Sequence, residues 1–299
     1  MKLLVYGSKG WIGTMFLKEL ALQNIDYVVG VERATNPVDL ELEILTSNAT
    51  NIISFIGRTH GTIANKAYTT IDYLEQPGKL NENVRDNLYS PLTIAIIAQK
   101  HNIHYAYLGT GCIFEYDDVH PFGKEENGFR EHSEPNFFGS GYSTVKGYTD
   151  RLMHMFDNVL NMRIRMPITD TMNSRNFVTK IVTYDKICSV PNSMTVLPTM
   201  FPLIIDMMLN KTSGTINLTN PGLISHNEIL QMYKEIVDDK FEWDNFTIEE
   251  QNEILASGRS NNYLDTTRLQ ELYPDVPHIR EGVRYCLEGI KNKFDNVHI

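Results

Sequence analysis

The N-terminal segment constrains the fold more than any other stretch. Leu3-Leu4-Val5-Tyr6 is a short apolar run of the kind a strand buried on both faces shows. It leads into Gly7-Ser8-Lys9-Gly10-Trp11-Ile12-Gly13 and then Thr14-Met15-Phe16-Leu17-Lys18-Glu19-Leu20, whose apolar residues recur with a helical period. Strand, glycine-rich turn and helix open a dinucleotide-binding βαβ unit. The glycines let the backbone turn tightly and approach a pyrophosphate, while the helix start offers amide donors and a positive dipole end. The spacing is G-x-x-G-x-x-G rather than G-x-G-x-x-G, so the assignment rests on position as much as on pattern.

The pattern continues for half the chain. Tyr27 to Val31 reads as a second strand, ending at Glu32-Arg33, where such folds select their cofactor. An acid there accepts from a ribose 2′-hydroxyl and an arginine suits a 2′-phosphate. Arg33 and Lys9 point to NADPH, and Glu32 leaves NADH open. Ile52 to Ile56 is a third strand, running into Gly57-Arg58, and residues 59–79 read as loop with a short helix. A helix spans Asn83 to Lys100, with Pro91 marking a kink or its effective start. His104 to Gly109 is the next strand and delivers Thr110-Gly111-Cys112 at its carboxyl end, where open α/β sheets bind ligands. After a long polar loop, Glu115 to Gly141, come a helix from Tyr142 to Phe156 and a strand from Asn161 to Ile168. This rhythm predicts a doubly wound parallel Rossmann sheet, with a smaller mixed C-terminal lobe for the substrate. The dinucleotide-binding domain is expected over 1–165 plus about 195–219, with a helix from Thr195 to Leu209 and a strand from Gly214 to Leu218. The substrate lobe is expected over about 166–194 plus 220–299.

Composition excludes several classes. A formal net charge of −10 argues against a nucleic-acid backbone or an anionic membrane as the main partner. Cys112, Cys188 and Cys286 are too few and too scattered for a disulfide framework or a zinc site, and His226-Asn-Glu is not a zinc motif. No metal is expected. No apolar run is long enough for a membrane span, and the start does not read as a signal peptide. A reducing, cytoplasmic location fits.

Thr110, Cys112, Tyr142 and Lys146 supply a hydroxyl, a thiol, a phenol and an ammonium. Tyr142 and Lys146, four apart, share one face of a helix. With the glycine loop they resemble the catalytic set of an extended short-chain dehydrogenase/reductase. Longer blocks narrow the resemblance: Gly-Trp-Ile-Gly (10–13), Thr-Gly-Cys-Ile-Phe-Glu-Tyr (110–116), Arg-Met-Pro-Ile (165–168), Arg-Asn-Phe-Val-Thr-Lys (175–180), Pro-Asn-Ser-Met-Thr (191–195), Thr-Asn-Pro-Gly (219–222) and Arg-Ser-Asn-Asn (259–262). Together they resemble the bifunctional UDP-4-keto-6-deoxy-glucose 3,5-epimerase/4-reductases of UDP-L-rhamnose synthesis, over essentially the whole chain.

That resemblance implies NADPH as reductant, a UDP-sugar substrate and a homodimer. It implies Tyr142 as proton donor to the carbon-4 alkoxide, Thr110 as a donor to the same oxygen, and Lys146 as the cation that lowers the phenol's pKa and holds the nicotinamide ribose. Cofactor contacts are implied at Gly7, Lys9, Gly10, Trp11, Ile12, Gly13, Arg33, Gly57, Arg58 and Pro167, besides Tyr142 and Lys146. Epimerisation at carbons 3 and 5 needs a base and an acid on opposite faces of the ring. Cys112 and Lys180 are implied, with their order open. Arg259, Asn261 and Asn262 are implied at the diphosphate and sugar, Asn192 at the uridine, and Arg175 and Asn176 beside the sugar. His226 reads as a helix-start residue. A 4-keto reductase without epimerase activity and a cofactor-sensing regulatory subunit are the competing readings. A 4,6-dehydratase would carry an acid pair where this chain has Gly111-Cys112.

Overall fold

The structure, a computed structural model, describes residues 1–297. The chain starts with β1 (Lys2–Tyr6) and α1 (Trp11–Leu22), which buries Gly13, Phe16 and Leu20 along one stripe. β2 (Asp26–Val29), α2 (Pro37–Thr46) and β3 (Asn51–Ser54) follow. Pro37 lies in the first turn of α2, where a missing amide hydrogen is tolerated. Residues 59–79, expected as loop with a short helix, instead hold a hairpin, β4 (Gly61–Ile63) and β5 (Lys66–Tyr68), and one 3-10 turn, Ile71–Tyr73. Strands of three residues carry too few side chains to display a period of two.

The expected helix before the fourth sheet strand is continuous from Leu80 to Lys100 but changes geometry within it. α3 (Leu80–Val84) passes through a π-turn, Arg85–Tyr89, into α4 (Ser90–Lys100). Pro91 has no amide hydrogen to offer the Asn87 carbonyl one turn back. That carbonyl accepts instead from the Thr149 hydroxyl at 2.7 Å. β6 (His104–Thr110), α5 (Gly141–Met153) and β7 (Val159–Ile164) come next. β7 stops short of the expected Ile168. Met166 has φ +38° and Pro167 cannot donate, so the ladder ends, and Ile168 makes only an isolated bridge with Val196.

The remaining elements are α6 (Phe177–Ile181), β8 (Lys186–Ile187), α7 (Leu197–Leu209), β9 (Gly214–Asn217), α8 (His226–Ile236), β10 (Asp244–Asn245), α9 (Ile248–Ile254), α10 (Thr267–Leu272) and α11 (Ile279–Val297). Six strands form a parallel sheet in the order β2-β1-β3-β6-β7-β9, the doubly wound architecture expected from the sequence. The order reverses between β1 and β3, so their carboxyl ends flank the crevice where such sheets bind ligands.

The chain separates into two compact units. The first comprises Met1–Ile113, Glu134–Arg163 and Phe201–Ile216, and its core joins Leu4, Tyr6, Ile52, Ile94, Tyr105 and Tyr107. The second comprises Phe114–Ser133, Ile164–Met200 and Asn217 onward. Its core is sealed by α11, whose Ile279, Val283, Cys286, Leu287 and Ile290 repeat at helical spacing and are buried. Among the described residues no helix is long and apolar enough to cross a membrane.

Candidate active site

The opening turn is built for close approach. Gly7 has φ +72°, and a Cβ there would lie 2.7 Å from the Phe55 carbonyl carbon. A Cβ on Gly13 would lie 2.4 Å from the Gly7 oxygen, so this glycine lets α1 pack onto the turn it follows. The Gly10 amide closes the turn on the Gly7 carbonyl at 3.0 Å. Lys9 is exposed, and Trp11 and Ile12 are half-buried. No side chain caps α1, which leaves its start suited to an anionic ligand. These residues fit a dinucleotide pyrophosphate.

The neighbouring strand ends are equally ordered. After β2, the Glu43 carboxylate of α2 accepts from the amides of Val31 (2.8 Å) and Glu32 (3.2 Å) and from the Tyr6 hydroxyl (2.7 Å), while Arg33 is exposed. After β3, the Asn87 side chain pins Arg58 by both backbone groups, at 2.9 Å each, and Gly57 is exposed. The Arg58 guanidinium pairs with Asp86 and Glu82 of the α3–α4 segment.

Thr110 ends β6. Its hydroxyl accepts from the Cys112 amide at 3.1 Å and hydrogen bonds with the Tyr142 phenol. Burial holds that phenol well above its ordinary pKa, Cys112 adds electrostatically, and the Thr110 bond offsets part of the rise. The sequence reading had Lys146 lowering the Tyr142 pKa. Here the Lys146 ammonium donates instead to the Tyr107 hydroxyl of β6 at 2.5 Å, and burial dominates at Tyr142. Tyr142 is therefore a protonated phenol, the form a proton donor needs. Lys146 is itself 4% exposed; burial pulls its pKa down to about 8, against the opposing influence of Asp150 and Cys112. Cys112 is a partly exposed free thiol packed beside Tyr73, Leu74 and Tyr142.

Distant residues hold α5 in place. Ser140 caps it through the Ser143 amide, and Glu75 accepts from the amides of Gly141 (3.1 Å) and Tyr142 (3.4 Å). Further along, Asp150 takes a two-point bond from the fully buried Arg163 guanidinium (2.8 and 2.7 Å) and a third from Asn161 (2.8 Å).

In the second unit, Lys180 lies in the last turn of α6, and its pKa is lowered by burial and then by the Arg175 and Arg259 charges. Three cations within electrostatic reach suit an anionic ligand despite the acidic chain. The Arg259 guanidinium also bonds to Ser257. The asparagines expected at the substrate are tied into hydrogen bonds within the protein. Asn176 is fully buried and caps α6: its oxygen accepts from the Val178 amide and its nitrogen donates to the carbonyls of Thr169 and Thr171. Asn192, also fully buried, accepts from Arg165 (2.6 Å) and from the Asn262 amide (3.0 Å) and donates to Asn261 (2.9 Å). Asn262 donates to the Phe114 carbonyl at 2.9 Å. The Pro167 carbonyl accepts from the Phe177 amide at the start of α6. His226 begins α8 inside a Ser225–Glu228 capping box. It accepts from the Val190 amide, and burial lowers its pKa to about 4, in keeping with the structural role read from sequence.

Sequence reasoning missed Tyr107, Glu75, Asn87 and Arg165. Arg165 is the hub of the second unit's polar cluster, bonded to Asn192, Ser193 and Ser260. Arginines alternating with Met162 and Ile164 in a strand expected to be buried were the available signal, since buried charges require partners. A groove of about 560 Å³ between α8 and α11, lined by Met232, Trp243, Arg280 and Arg284 among others, contains none of the candidate residues.

Known proteins resemble this chain along nearly its whole length. The L780 UDP-rhamnose synthase of Acanthamoeba polyphaga mimivirus has a crystal structure that matches with a TM-score of 0.92. It is 55% identical, over 97% of this chain and 99% of that one. A bifunctional dTDP-4-dehydrorhamnose 3,5-epimerase/dTDP-4-dehydrorhamnose reductase of Arabidopsis thaliana is 38% identical over 96% of this chain and 93% of its own length. A trifunctional UDP-glucose 4,6-dehydratase/UDP-4-keto-6-deoxy-D-glucose 3,5-epimerase/UDP-4-keto-L-rhamnose-reductase of the same plant is 39% identical over 97% of this chain, which spans only 42% of that protein. The profile of the NAD dependent epimerase/dehydratase family matches residues 3–184, and the chain belongs to that family.

Proposed function

We propose that this chain is a bifunctional nucleotide-sugar enzyme that epimerises UDP-4-keto-6-deoxy-glucose at carbons 3 and 5 and then reduces the carbon-4 ketone, giving UDP-L-rhamnose. The observation that carries the reading is the Thr110–Tyr142 hydrogen bond at the carboxyl end of β6, with Lys146 one turn further along α5. Two hydroxyl donors side by side stabilise charge developing on a carbonyl oxygen. That oxygen becomes an enolate when a proton leaves carbon 3 or 5, and an alkoxide when hydride reaches carbon 4, so one donor pair serves both reactions. Tyr142, held protonated by burial, gives its proton to the alkoxide. NADPH, when bound, supplies the hydride. The glycine loop and the start of α1 would hold its pyrophosphate, and Lys146 its nicotinamide ribose.

Cys112 and Lys180 are our acid/base pair for the epimerisation, and Arg259 and Arg175 our partners for the diphosphate. The lowered pKa of Lys180 moves its ammonium towards the range useful for proton transfer. The electrostatic reach of Arg175 and Arg259 to Lys180 supports the anionic-ligand assignment. Glu43 favours a second reading of the cofactor: its carboxylate at the end of β2 opposes a 2′-phosphate, so NADH is the alternative. Exposed Tyr89 and Ile96 on one helical segment, with Tyr148 and Leu152 on α5 and Met155 just beyond it, give the first unit an apolar stripe that suits the proposed homodimer.

Turnover of the 4-keto sugar in heavy water tests the bifunctional reading. The wild type is expected to yield product deuterated at carbons 3 and 5. Cys112→Ser and Lys180→Ala are expected to lose that label while still binding the cofactor. Unlabelled product from an active wild type would leave a reductase alone.

A further inference from the structure

Tyr107 has no part in the chemistry described so far, yet it is the hydrogen-bond partner of Lys146. Both side chains are almost wholly buried, with the ammonium 2.5 Å from the phenol oxygen and 4.7 Å from the ring centre. In β6 the alternation puts Tyr105 and Tyr107 on one face, within a core built mainly of Leu, Ile, Ala and Val, with Tyr6 and Met153. A phenol buried there costs stability unless its hydroxyl is bonded, so a tyrosine in place of an aliphatic residue requires a reason.

The surroundings of Lys146 supply it. Asp150, one turn along α5, has its carboxylate engaged by Arg163 of β7 and by Asn161. Cys112 and Asp150 act on the ammonium electrostatically. Thr110 is bonded to Tyr142, which with Asp150 shares this face of α5. Among the described residues the hydrogen bond of the ammonium runs to Tyr107. Burial holds the Tyr107 phenol protonated, so it can accept from a charged lysine and donate to a neutral one. Phenylalanine would fill the same space and do neither.

We propose that Tyr107 is a positioning residue for Lys146: it holds the ammonium in place in the ligand-free enzyme and sets the pH at which that charge is lost. The catalytic importance of this rests on the reading of Thr110, Tyr142 and Lys146 as the reductase set; the titration itself does not.

The test uses the full chain with isotope-labelled lysine. The ε-methylene resonance that disappears in Lys146→Met is followed against pH in wild type and in Tyr107→Phe. Removing an acceptor of the charged form is expected to lower the Lys146 midpoint by about one to two pH units. The alkaline limb of kcat/KM, which reports the free enzyme, is expected to move by the same amount. Tyr107→Phe should change no rate further in a Lys146→Met background, because the phenol acts through the lysine. An unchanged midpoint in Tyr107→Phe overturns the proposal, whatever the activity. A lowered midpoint in a protein that never reduces the 4-keto sugar supports it and refutes the functional reading instead. Tyr107→Met, of similar reach and without the hydroxyl, serves if the phenylalanine variant does not fold.

Discussion

Lys146 should cost the folded protein stability, and removing it should show how much. Its pKa of about 8 lies below the unperturbed lysine value of about 10.4, a gap worth roughly 3 kcal/mol at 1.36 kcal/mol per unit. The folded state thus binds this proton more weakly than the unfolded chain does. Between about pH 8 and pH 10.4 the unfolded state carries the extra proton, so the lysine's contribution to stability rises with pH across that window. Below about pH 8 the full penalty stands. Lys146→Met keeps the length of the side chain and removes the charge, but leaves the Tyr107 hydroxyl unpartnered, a loss of about 1–3 kcal/mol. The balance near pH 6 is a variant about 0–2 kcal/mol more stable than wild type, with the gain gone, or reversed, near pH 10. Urea unfolding of both proteins across that range measures it. A variant less stable than wild type near pH 6, or a difference that does not change with pH, would refute the reasoning. Turnover should be lost throughout, so this stability is given up for function.

Three other outcomes are expected. Tyr142→Phe should slow ketone reduction by about 10²–10⁴-fold with cofactor affinity retained, as read by single-turnover kinetics and nicotinamide fluorescence. Arg163→Met should destabilise the chain by about 3–5 kcal/mol in urea unfolding, because it strands the Asp150 carboxylate; adding Asp150→Leu should recover part of the loss. Reduction by the wild type should decline above about pH 8 as Lys146 loses its proton, and a pH profile flat to well beyond that point would contradict the role given to its charge.

What could be read from the sequence, and what could not, follows the range of the interactions. The glycine loop is a local device: Gly7, Gly10 and Gly13 act on one another within one turn and the start of one helix, so their spacing carries their meaning. Thr110, Tyr142 and Lys146 were legible for a related reason, since a strand end and a helical i,i+4 pair are short-range patterns. The β4–β5 hairpin was not, because its strands are too short to alternate. Asn176, Asn192 and Asn262 read as substrate contacts, but the helix cap and loop-joining bonds that their amides make within the protein were not legible, since the same amide chemistry serves both ends. The residues that position the site stayed hidden for a different reason. Glu75 reaches α5 across 66 residues of sequence, Thr149 meets Asn87 across 62, and Lys146 meets Tyr107 across 39, and no window of sequence holds both partners.

The central claim, that the Thr110–Tyr142–Lys146 set reduces a 4-keto sugar, is tested most directly by NADPH deuterated at its transferable position. Incubated in ordinary water with UDP-4-keto-6-deoxy-glucose, the protein should oxidise the cofactor and return a sugar carrying deuterium at carbon 4 with L-rhamnose stereochemistry. Reduced cofactor that persists beside unconsumed keto sugar, in a preparation shown to bind both, would contradict it.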